Sequence, residues 1–70
     1  MTVLRIVVRW RDRPAERIEV DRCGCVAYAQ GRCREHLWTP WLDVLPLLER
    51  HGAKIERVAD GELWPRDTGV

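Results

Sequence analysis

The chain predicts an α+β fold: a small, mostly antiparallel sheet with one helix packed on one face. Three observations lead there. Residues 3–11 and 16–21 alternate apolar and polar side chains with the period of half-buried strands. A short proline-bearing connection, residues 12–15, joins them as a turn would. Residues 39–52 carry helical periodicity between a start and a stop signal.

In the first strand Leu4, Ile6, Val8 and Trp10 share one face, and Arg5, Val7, Arg9 and Arg11 share the other. In the second, Ile18 and Val20 point inward, and Arg17, Glu19 and Asp21 point outward. Outward arginines of one strand can therefore face outward acids of the next, each pair adding a few tenths of a kcal/mol. Gly24 interrupts the pattern, and residues 26–30 read as a third strand closing a meander. Residues 32–38 are ambiguous, with Cys33, His36 and Leu37 placed to share one side of a helical turn.

The helix is delimited at both ends. Thr39 is an N-cap, with Pro40 at the first helical position. Asp43 and Arg50 complement the macrodipole, and Gly52 supplies the left-handed residue that ends the helix. Trp41, Val44, Leu45 and Leu48 form the buried stripe. Pro46 interrupts the ladder, at a cost of ~3 kcal/mol unless packing offsets it, so a bend or break is expected there. Leu42 and Leu47 widen the apolar arc to roughly 220°, beyond the ~100° that one sheet covers. Residues 54–58 are a fourth strand, and Asp60–Gly61 turns the chain toward a short fifth at residues 62–64. The order is β-β-β-α-β, with that further strand after it. Trp10, Trp38, Trp41 and Trp64 are expected to dominate the core, with at least one at its edge.

Seventy residues make a single domain, residues 1–70, with 66–70 as a loose tail. A core this small benefits from a staple such as metal, disulfide or oligomerisation. A net charge of +1 with mixed signs gives no basic field, which makes nucleic acid an unexpected partner. The chain has one lysine, Lys54, and otherwise arginine, suited to bidentate recognition of carboxylate or phosphate. No leader or membrane span is read, and an odd count of three cysteines suits a reducing cytoplasm.

Cys23, Cys25, Cys33 and His36 are the soft ligand set of a Cys₃His zinc site, although a C-x-C first pair is not the common spacing. The favoured reading is three unliganded thiols beside an ordinary surface histidine, because free cysteine is a common small core residue. Redox chemistry at Cys23-Gly24-Cys25 would need a strained disulfide across one glycine. Neither a phosphate-binding glycine loop nor an oriented nucleophile is visible.

The expectation is a non-enzymatic protein-binding module of inhibitor or adaptor type, without cofactor, docking on another protein or on itself as a homodimer. Small accessory proteins of phages and mobile elements share this size. Trp38, Leu42, Leu47 and Trp64 are the apolar interface candidates, and Arg5, Arg9 and Arg11 the row for an acidic partner. The alternatives are a zinc-stabilised module binding nucleic acid or protein, and a small thiol redox protein.

Overall fold

The computed structural model describes residues 2–68. The elements are β1 (Thr2–Arg9), β2 (Glu16–Asp21), β3 (Val26–Ala29), a 3₁₀ helix (Gly31–His36), α1 (Trp41–Arg50) and β4 (Lys54–Val58). The strands form one antiparallel sheet in the order β3-β2-β1-β4. The expected α+β architecture and element order are therefore those observed.

Register decides which side chains meet the helix. Ile6 stands opposite Ile18, Leu4 opposite Val20, and Ile18 opposite Ala29. These residues, with Val8 and Val26, make the floor on which Trp41, Val44 and Leu48 pack. Each fully buried valine, leucine or isoleucine contributes about 1.5–3 kcal/mol, so branched aliphatics supply most of this core. The tryptophans do not dominate it as expected. Trp41 is buried, Trp10 and Trp64 are half-buried, and Trp38 is exposed.

The helix ends where Gly52 predicts. Its φ is 82°, the Gly52 N–H donates to Glu49 O at 3.0 Å, and the Ala53 N–H donates to Leu48 O at 3.1 Å. This is the Schellman closure, and Ala53 and Leu48 both join the core beneath it. The helix start differs from expectation. Pro40 is the cap residue and Trp41 the first helical one, with no side-chain cap. Thr39 acts through its backbone instead. Its carbonyl accepts the Val26 N–H at 2.9 Å, while the Trp38 N–H donates to Val26 O at 2.7 Å. Residues 38–40 thus run along the outer edge of β3, completed by a bridge between Cys25 and Pro40. Backbone pairing there sets the chain's entry angle in place of a hydroxyl cap.

Pro46 does not break the helix, which is continuous from Trp41 to Arg50. Both Pro46 and Leu42 are exposed, so water can serve the carbonyl that lacks a donor.

The fifth strand is absent: residues 62–65 have no regular structure. Residues 59–68 instead cross the sheet face opposite α1. Arg5 Nη2 donates to Ala59 O and Glu62 O, both at 2.8 Å, and Arg17 donates to Thr68 Oγ1 at 3.1 Å. Thr68 also bridges to Ala15 and is buried. Val7, on the face expected to be solvated, is only 1% exposed for this reason. The expected loose tail is fastened at Asp67 and Thr68, and its last two residues lie outside the described ones.

Candidate functional site

The arginine row is engaged within the chain. Arg9 Nε donates to Glu56 Oε2 at 2.7 Å, and its Nη1 donates to Asp67 Oδ2. These two carboxylates hold the guanidinium pKa above its ordinary value, the Asp67 hydrogen bond most of all. Arg5 and Arg17 lie over the Trp64 ring, 5.5 and 4.9 Å from its centroid. The acid and aromatic that this row could have taken from a partner come from the chain's own carboxy-terminal segment. Trp64 is occupied in the same way, with two cations at its ring. Arg11 lies apart, exposed in the β1–β2 turn, with its Nε nearest the open side of Gly52.

The thiols and histidine occupy different environments. Cys23 is exposed, Cys25 is half-buried and Cys33 is fully buried. Asp21 Oδ1 accepts the N–H groups of both Cys23 and Cys25 at 3.0 Å, folding this loop as an Asx turn. Cys33 faces the core from the 3₁₀ helix. Burial first, then hydrogen bonding to Glu16 and its charge, push the Cys33 thiol far above its ordinary pKa. It is held as a neutral thiol, the opposite of what a nucleophile needs. His36 Nε2 lies 3.3 Å from Glu35 Oε1. Among the described residues, no three His, Cys, Asp or Glu side chains are arranged to hold a metal ion.

One shallow depression lies beside β3, lined by Ala27, Tyr28, Ala29, Gln30, Gly31, Arg34 and Leu37. Arg34 is the one charged residue in that lining, and Tyr28 brings its phenol, which accepts a hydrogen bond from Gln30 Nε2 at 2.9 Å.

What remains is the outer side of the helix and the turn before it. Leu42 is 79% exposed and Trp38 is 70% exposed, with Leu47 partly exposed on the opposite flank. Tyr28 and Trp64 are the aromatics that could have covered these flanks from within the chain. Neither does. Tyr28 stands opposite Glu19 on the far face of the sheet, and Trp64 lies on that face with Arg5 and Arg17. Leu63, also strongly exposed, belongs to the crossing segment.

Trp38 has a further property that no sequence pattern announced. Its φ is 68°, and among the described residues it is the one non-glycine with a positive φ. The left-handed region costs a residue with a Cβ roughly 1–2 kcal/mol. Two features hold it there: the bond from its N–H to Val26, and the one from the Thr39 N–H to His36 O at 3.1 Å. Such outliers persist only when surrounding structure over-determines them, and they gather at functional positions.

No known protein family, curated protein or solved structure matches the chain. No helix among the described residues is long and apolar enough to cross a membrane.

Proposed function

We propose that this chain is a small, non-enzymatic protein-binding module acting without a cofactor, and that it docks through Trp38 and the outward side of α1. The observation that carries this reading is Trp38. The fold spends strain on a left-handed residue and then places the largest apolar side chain there in solvent. Folding alone would favour Gly or Asn at that φ. Tryptophan is among the residue types enriched at interface hot spots.

Two further facts support it. Arg5 and Arg9 of the arginine face are already satisfied within the chain, whereas Trp38, Leu42 and Leu47 are exposed. None of the groups with displaced pKa values, Arg9, Cys33 and Asp67, lines the depression beside β3. A photoreactive amino acid at position 42, with position 12 as an exposed control, tests this in cells that make the protein. A discrete cross-linked species from position 42 and none from position 12 is expected. Equal, diffuse labelling from both positions would end the reading.

A further inference from the structure

We infer that the partner of this surface is a second copy of the same chain, joined by antiparallel pairing of the two α1 helices about a two-fold axis near Pro46. The inference rests on the docking reading above and adds the identity of the occupant.

The argument is charge complementarity. Trp41, Val44 and Leu48 bury one side of α1, which leaves Leu42, Asp43, Pro46, Leu47, Glu49 and Arg50 outward. Leu42 and Pro46 are one turn apart and form an apolar ridge. Asp43 and Arg50 flank it, almost two full turns apart and therefore on one stripe at 3.6 residues per turn. Neither has an ion pair or hydrogen-bond partner for its side chain among the described residues.

A two-fold axis exchanges the two ends of the helix. Asp43 of one copy then meets the partner's Arg50, and the pair occurs twice because the interface is isologous. A parallel pairing would set Asp43 against its own copy and Arg50 likewise. The charges therefore select the antiparallel arrangement, as heptad-spaced charges select orientation in coiled coils. Opposed macrodipoles favour the same choice. Pro46 of each copy is removed from water at the centre, and each Leu42 toward an end of the contact. A helix of this length spans only about 15 Å, so the contact is small and the association weak and concentration-dependent.

Charge exchange tests it. The unmodified chain, followed by sedimentation velocity up to about 1 mM, should move from monomer to dimer mass. Asp43→Arg and Arg50→Asp should each weaken self-association at least tenfold, because each sets like charges opposite one another. An equimolar mixture of the two variants should regain dimer mass. In the mixed dimer one chain is basic at both positions and the other acidic at both, so each of the two contacts again joins opposite charges. The double variant should dimerise with itself, because it exchanges the two charges and keeps them complementary. Both positions are exposed, and circular dichroism checks that each variant keeps its fold. Three results overturn the inference: an unmodified chain that stays monomeric, single variants that associate undiminished, or a mixture that stays monomeric. A monomeric chain that still yields a position-42 cross-link to a different protein ends the dimer and leaves the docking reading standing.

Discussion

The carboxylate of Glu16, on β2, accepts the backbone N–H of Cys33 at 3.2 Å and that of Arg32 at 3.0 Å. A strand side chain thus closes the start of a 3₁₀ helix that has no cap of its own. Gly31 is what allows the approach. A Cβ there would stand 2.1 Å from Glu16 Oε2, and the residue's φ is +54°.

The first prediction follows from that contact. Glu16→Ala removes two hydrogen bonds to a charged acceptor and should cost about 1–3 kcal/mol in chemical denaturation. Gly31→Ala should cost more than Gly24→Ala, because Gly24 has a similar backbone but open space around it. Combining Gly31→Ala with Glu16→Ala should cost less than the sum of the two, since the clash disappears with the carboxylate. Strict additivity would mean that the carboxylate does not sit over Gly31.

Cys33 gives the second. Its thiol is held protonated in the folded protein, while the unfolded chain ionises near the ordinary value of 9.0. The unfolded state then binds fewer protons at alkaline pH. Stability from this group is fully present below that value and falls as pH rises above it, by at most about 1.4 kcal/mol per pH unit. Denaturation curves above about pH 9 should show this decline, and Cys33→Ala should flatten it. In the native protein a thiol reagent should modify exposed Cys23 and spare Cys33. Rapid labelling of Cys33 at neutral pH would show that the core opens there.

Asp67 gives the third. Hydrogen bonding to Arg9, with the attraction of its charge, lowers the Asp67 pKa below the ordinary 3.8. A lowered carboxyl contributes stability above that ordinary value and loses it as pH falls through the folded one. The crossing segment should therefore loosen only in acid. Asp67→Asn should loosen it at neutral pH, read as faster amide exchange in residues 62–68 and a shifted Trp64 indole resonance. The resonances of Trp41 and the core should stay in place, because α1 packs on the other face of the sheet. A Trp64 resonance unmoved in Asp67→Asn would show that Arg5 and Arg17 hold the segment without the carboxylate.

The strands and the helix were legible because their periodicities are local, and Gly52 because a left-handed closure leaves one residue type little competition. What escaped has a common cause. Thr39 carries the pattern of an N-cap, yet its carbonyl is engaged by Val26, a partner thirteen residues away that no local pattern reveals. Residues 62–64 resemble a strand, but their neighbours are Arg5 and Arg17, whose bonds to carbonyls and to an aromatic ring have no sequence period. The arginine face looked available because Asp67 sits 58 positions from Arg9. Leu42 and Leu47 were recognisable on the helix flanks from spacing alone. The backbone strain at Trp38 was not, since only the pairing of residues 38–40 with β3 creates it.

That strain supplies the last prediction. If Trp38 is retained for its exposed ring, replacing it should relieve the backbone and lose the surface. Asparagine tolerates the left-handed region better than tryptophan, and the indole buries little that would be forfeited. Trp38→Asn should therefore match or exceed the stability of the parent, by up to about 1–2 kcal/mol, while association through the helix side weakens. Trp38→Gly also relieves the strain but frees the unfolded chain, which offsets part of the gain by about 0.5–1 kcal/mol. Asparagine should then be the more stable of the two. Thermal melts of the monomer at low concentration separate these effects from association, and sedimentation at high concentration measures the second. A Trp38→Asn protein that is clearly less stable than the parent would mean that the ring is a structural element at this turn. Stability gained with association intact would confine docking to the helix itself.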